Sequence, residues 1–120
     1  MDWRSGAVVH VYAQLGVFVV AVAGEMDGDE KDLLTAAWDE AAVSKAATTV
    51  VDLSKVTFAD SALLNSLLDA ARRHRLKGSS LVLAGPLPHV IERMFAITGV
   101  MEHFTFADSL DQALERHRIR

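Results

Sequence analysis

The chain has 120 residues, no cysteine and a formal net charge of −4, with 51% hydrophobic but only 7% aromatic residues. That length buries an aliphatic core without staples, and the lack of cysteine excludes disulfides, thiolate metal sites and cysteine nucleophiles. An acidic domain has no electrostatic reason to hold nucleic acid or an anionic membrane, so its expected partners are proteins.

The opening residues, MDWRSGA, lack the charged and then apolar regions of a signal peptide. The longest near-apolar run, LGVFVVAVAG at 15–24, is about half of the roughly 20 residues a spanning helix needs. A soluble cytoplasmic protein is expected, with a tail over residues 1–7 and one domain over 8–117. VVHVYAQ (8–14) places Val9, Val11 and Ala13 on one face, which is strand periodicity. GVFVVAVAG is β-branched and apolar on both faces, like an internal strand, and Gly16 marks a hairpin turn between the two.

The period then changes to that of a helix, with Leu34, Ala37, Trp38 and Ala41 on one stripe and Asp27 as the expected N-cap, Glu30 following three residues on. TTVVDL (48–53) is a buried strand. ALLNSLLDAARRH is a helix with the stripe Leu64, Leu67, Leu68 and Ala71, ending near Lys77-Gly78. SLVLAG (80–85) is the next strand. PHVIERMFAITG is a helix burying Val90, Ile91, Met94 and Phe95, with Pro88 early in it and Gly99 as its stop. HFTF (103–106) is a short strand, and Asp108-Ser109 opens a last helix carrying Leu110, Ala113 and Leu114. The order β-β-α-β-α-β-α-β-α implies a single α/β domain, a mostly parallel mixed sheet flanked by helices. The loops GEMD (24–27), TFADS (57–61) and AGPLP (84–88) then open on one edge of the sheet, bringing Asp27, Asp60 and Ser61 to that edge.

Asp60-Ser61 sits where loop becomes helix. Asp is a favoured N-cap and Ser is comfortable in a first turn, so local structure alone accounts for both residues, as it does for Asp27. A nucleophilic role for Ser61 needs a base within hydrogen-bond reach and donors for an oxyanion. The chain has no GxSxG elbow, and its histidines (His10, His74, His89, His103, His117) are scattered and expected at solvated positions. No HxxxH or HExxH spacing supports a metal site, and no GxxxxGK[ST] or GxGxxG supports a phosphate cradle. No catalytic residue, metal or cofactor is therefore expected. The basic run ARRHRLKG (71–78) is expected to be a solvated helix end.

GEMD after the second strand, VVDLSKVTFADSALLN, and the downstream LVLAGPLPHVIERMFAITGVMEHFTFADSLDQAL together resemble the STAS domain of bacterial anti-sigma factor antagonists. That family writes the first two segments as "GELD" and "DLSxVxFxDSSGL", and the resemblance runs from about residue 8 to residue 115. It implies a switch without enzymatic activity of its own. The serine after the motif aspartate, here Ser61, is phosphorylated by a partner that is both serine kinase and anti-sigma factor. The unphosphorylated form binds that partner and frees a sigma factor, and a phosphatase resets it. Asp27, Asp60, Ser61, Ala62, Leu63 and Asn65 are the implied partner surface.

The chain departs from the pattern where the family has Ser-Gly after the acceptor and this sequence has Ala62-Leu63, and where Asn65 replaces a frequent Gly. Leu63 lies off the Leu64/Leu67/Leu68 stripe, so it either meets a partner beside Ser61 or packs under a neighbouring loop. A monomer or weak dimer is expected. The rival readings are a scaffold lacking a working phosphosite, or a small-molecule or nucleotide-binding domain using the 24–27/57–61/84–88 edge.

Overall fold

The computed structural model describes residues 7–26 and 30–119. The expected tail lies outside these residues except for Ala7, which packs against the larger core. Among the described residues there are five strands and four α-helices: β1 (Val8–Gln14), β2 (Val17–Met26), α1 (Lys31–Val43), β3 (Thr48–Ala59), α2 (Ser61–Lys77), β4 (Ser80–Ala84), α3 (His89–Thr98), β5 (Thr105–Ala107) and α4 (Leu110–His117). The strands lie in the order β1-β2-β3-β4-β5, with β1 antiparallel to β2 and the remaining pairs parallel. The expected fold class and order of elements are observed.

The β1–β2 hairpin turns on Leu15 and Gly16, at φ 56° and 80°. Two successive left-handed residues make the tight turn whose twist suits a hairpin. The last strand starts later than expected, because Met101–His103 form a 3-10 turn and β5 begins at Thr105. α1 starts at Lys31 with Glu30 in the cap position, and the expected cap Asp27 lies outside the described residues.

The sheet separates two cores. On one side α1, α2 and α3 bury Leu34, Trp38, Leu64, Leu67, Ile91 and Phe95 against Val20, Val22, Val51, Leu53 and Leu83. On the other, α4 places Ala113 and Leu114 over Val17, Val19, Val50, Val82 and Ala84. With eight residues, α4 is about 12 Å long. The twelve residues of β3 run roughly 40 Å. Helix α4 thus covers the second face of the sheet over only part of its length.

Strand β3 does not keep a period of two. Its side chains facing the larger core are Val51, Leu53, Val56 and Ala59, a spacing of two, three and three. Its pairing with β2 slips between Ala21 and Ala23, and again between Gly24 and Glu25. Each slip inserts one extra β3 residue, which is a bulge. At the first bulge Asp52 Oδ1 accepts from the backbone N–H of Ser54 (3.0 Å) and from its hydroxyl (2.8 Å), which gives the DLS segment a local structural role.

Helix α2 holds the helical layer together. Its buried residues are Leu63, Leu64, Ser66, Leu67, Ala70 and His74, while Leu68 and Ala71 are only half-buried. The expected stripe is rotated slightly because α2 is covered by α1 as well as by the sheet. Trp38 Nε1–H of α1 donates to Ser66 Oγ at 2.9 Å within the core. The basic end of α2 is mostly exposed, as expected, with Arg73 and Lys77 engaged in tertiary contacts. Arg73 bridges Asp39 (2.8 Å) and Asp69 (3.2 Å). Lys77 Nζ donates to the carbonyls of Ala41, Ala42 and Ser44, closing the last turn of α1.

His74 is buried, contrary to the solvated position expected for it, at 6% exposure. Its ring bridges Ala70 O (Nδ1, 2.7 Å) and Thr49 Oγ1 (Nε2, 2.8 Å). A carbonyl only accepts, so Nδ1 carries the proton and Nε2 accepts from the Thr49 hydroxyl. Burial holds the imidazole below its ordinary value of 6.5, and the Lys77 and Arg73 charges push the same way, against the bond to Ala70. Between that lowered value and about 6.5 the unfolded chain binds the proton that the folded chain refuses. Stability is therefore expected to fall as pH drops below about 6.5. His74→Gln should flatten that dependence in urea titrations at a series of pH values, while an unchanged slope would count against a neutral buried ring.

Candidate functional site

The site forms where β2 and β3 end side by side. Met26 pairs with Ala59, and the Asp60 N–H donates to Met26 O at 3.3 Å. The segment leading to α1 and the start of α2 therefore leave the same point of the sheet, as expected. Asp27 itself lies outside the described residues.

Asp60 is extended (φ −115°, ψ −171°) and caps α2, its Oδ1 accepting from the Ala62 N–H at 2.8 Å. Ser61 is the first residue of α2 and is exposed. Capping is already performed by Asp60, so the Ser61 hydroxyl is not needed for it and bonds to no described residue. Asn65 is also exposed, one turn along and on the same face as Ser61, and Ala62 is half-buried between them. Beside them a groove of about 440 Å³ runs between α1 and α2, lined by Lys31, Thr35, Ala62, Asn65, Ser66 and Asp69.

Leu63 does not belong to this surface. It is 1% exposed and packs in the larger core, so of the two expected positions the structure gives the packed one. The apolar stripe of α2 is wide enough to include it because the helix is buried against both sheet and α1.

The loop at 84–88 does not join the site either. β4 ends at Ala84, which pairs with Asp52, whereas β3 continues to Ala59. The two loops are thereby separated by roughly 20 Å along β3. The 84–88 loop borders a different hollow of about 490 Å³, with Gly85, Leu87, Glu92, Phe106 and Asp108 in its wall. The expected shared edge thus holds for the first two loops and not for the third.

Phe58 stands exposed at this end of the sheet, a position not expected for it. The bulge around Thr57 turns Phe58 away from the larger core, and it stands 49% exposed opposite Glu25, two residues before Asp60. The signal was present in the spacing of Leu53, Val56 and Ala59, which leaves Phe58 off the buried side.

As a centre for chemistry on its own the site is poorly equipped. The buried His74 lies thirteen residues further along α2, about 20 Å from Ser61. Among the described residues no group of three histidines and carboxylates is placed to hold a metal ion, and no helix is long and apolar enough to cross a membrane. What the geometry offers is an exposed hydroxyl at a capped helix start, beside a carboxylate, on a surface open to a macromolecule.

The family model described as "Mlab, STAS domain" (STAS_2) matches residues 9–112. The chain belongs to the STAS domain family. Among solved structures it is similar to an anti-sigma factor antagonist from Mycobacterium paratuberculosis, with 26% identity, coverage of 93% of this chain and 94% of that one, and a TM-score of 0.79. It is similar in fold to the anti-sigma factor antagonist SpoIIAA in its unphosphorylated form (18% identity, 91% and 96% covered, TM-score 0.71). A structure of the Bacillus cell fate determinant SpoIIAA in its phosphorylated form matches equally (18%, 92% and 100%, 0.72). The fold also extends to a sulfate transporter family protein from Wolinella succinogenes (21%, 88% and 88%, 0.65), so fold alone does not define the role. A comparison with curated protein sequences gives no match.

Proposed function

We propose that this domain is an anti-sigma factor antagonist working in the cytoplasm as a phosphorylation-controlled binding switch, with Ser61 as the phosphoacceptor. Unphosphorylated, it binds an anti-sigma factor that is also a serine kinase, and a sigma factor is released. Phosphorylation of Ser61 ends the binding, and a phosphatase restores it. The chain contributes no catalytic group, metal or cofactor of its own. The partner surface consists of Asp60, Ser61, Ala62 and Asn65, together with Asp27. Leu63 supports that surface from beneath.

The observation that carries this reading is the exposed Ser61 hydroxyl at the start of α2, with the cap supplied by Asp60. A phosphate added there breaks no hydrogen bond to a described residue and meets the positive end of the helix dipole. The likeness to an anti-sigma factor antagonist supports the partner class. A nucleotide-binding domain on the same edge is less well supported, because the 84–88 loop is remote from Ser61. Equilibrium dialysis separates the two, since only a nucleotide binder takes up ligand tightly without a protein partner.

The test is retention of the partner kinase on immobilised protein in lysate of the source cell. Wild type is expected to release it when Mg-ATP is added, and Ser61→Ala to keep it. Release from both variants alike would mean that ATP acts elsewhere than on Ser61.

A further inference from the structure

We propose that Phe58 is the anchor by which the serine kinase holds this domain while Ser61 is phosphorylated, its ring entering an apolar pocket of that kinase. The inference rests on the phosphorylation of Ser61 proposed above and adds the residue that makes the domain a good substrate.

A phenylalanine near the end of an internal strand would ordinarily be buried. Here β3 gives up ladder regularity at the bulge between Gly24 and Glu25, and the result is that Ala59 faces the core while Phe58 faces out. A bulge of this kind re-aims a side chain. The side on which Phe58 stands is the side of the sheet that α4 leaves bare at this end. Its cross-strand neighbours there are Glu25, opposite, and Ala23, which pairs with the exposed Val8 in β1 and with Lys55 in β3. Among the described residues the ring stands as a half-exposed knob at 49%, the larger of two exposed apolar side chains at this end of the face.

Its position relative to Ser61 gives the knob a use. The two residues are three apart, so their Cα atoms are within about 11 Å of each other. In the transfer, Ser61 Oγ forms a bond to the γ-phosphorus of ATP, the bond to the bridging oxygen breaks with ADP as leaving group, and the hydroxyl proton passes to a base of the kinase. The hydroxyl must be free to enter that geometry, so it is a poor source of ground-state binding. Phe58 lies close to it, takes no part in the transfer, and carries apolar surface of the type that concentrates binding energy in a few residues. The partner that fits is a kinase with an aromatic-accepting pocket near its phosphoryl-transfer centre, reaching around the end of the sheet from Ser61 to Phe58.

The experiment follows the initial rate of phosphate gain by intact mass, in source-cell lysate with Mg-ATP and phosphatase inhibitors, over a range of substrate concentrations. Phe58→Ser is expected to slow the reaction at least tenfold at low concentration, the loss of one buried aromatic contact, and to recover at high concentration. Phe58→Leu should keep most of the rate. Ile97→Ser, at a more exposed apolar position on α3, should match wild type, and all variants should melt together. Phe58→Ser phosphorylated at the wild-type rate would overturn the anchor and leave the phosphosite standing. A wild type that gains no phosphate would remove the phosphosite, and the anchor with it. Equal rates combined with a wild-type dimer that Phe58→Ser dissociates would assign the knob to a second copy of this chain instead.

Discussion

Phosphorylation of Ser61 is expected to weaken the complex with the anti-sigma partner about a thousandfold, a loss of ~4 kcal/mol, while leaving the fold of the free domain intact. The phosphate brings about −1.5 to −2 charges at neutral pH. In the free protein they sit at the first residue of α2, where the dipole is positive and no hydrogen bond to a described residue is displaced. Across an interface the same charges stand beside the Asp60 carboxylate and must be stripped of water to be buried. One modification therefore acts on two equilibria with opposite consequences. The check is a pair of titrations against the purified kinase, with phosphorylated and unphosphorylated protein, alongside their melting curves. Equal affinities would remove the switch, and a melting temperature lowered by the phosphate would mean that it acts by unfolding α2.

The second large effect is on stability. Trp38→Ala is expected to cost about 4 kcal/mol, since truncating a buried Trp removes its transfer energy and leaves a cavity. Trp38 is 1% exposed and joins α1 to the Leu64/Leu67 layer of α2, so the loss falls on the contact that shapes the groove beside Ser61. Trp38→Phe keeps most of the volume but removes the Nε1–H bond to Ser66 Oγ, and should cost about 1–2 kcal/mol. Urea unfolding of the three proteins separates these contributions. A Trp38→Ala variant within 1 kcal/mol of wild type would contradict the packing of α1 on α2 described above.

The order of elements was legible because each announced itself by period: alternation in β1, 3.6-residue spacing in α1, and the apolar run of β2. The capped start of α2 was equally legible, since Asp60 and Ser61 are residue types with strong positional preferences. Tertiary context set the rest. Leu63 is buried because α2 has two neighbours, and a helical pattern gives the width of a stripe only when the number of neighbours is known. Phe58 is exposed because two bulges break the period of β3, and a bulge depends on pairing with another strand. His74 resembles a helix-end histidine in sequence, yet Thr49 of β3 lies within hydrogen-bond distance and makes it part of the core. The 84–88 loop shows the same limit, since strand lengths decide which loops meet and β3 outruns β4.

The central claim, that Ser61 is the phosphoacceptor, is tested most directly by the intact mass of purified wild-type and Ser61→Ala protein after incubation with Mg-ATP and lysate of the source cell. The lysate is first shown to phosphorylate another antagonist. The account predicts one added phosphate on wild type and none on Ser61→Ala. No phosphate on wild type, or the same phosphate on both, would contradict it.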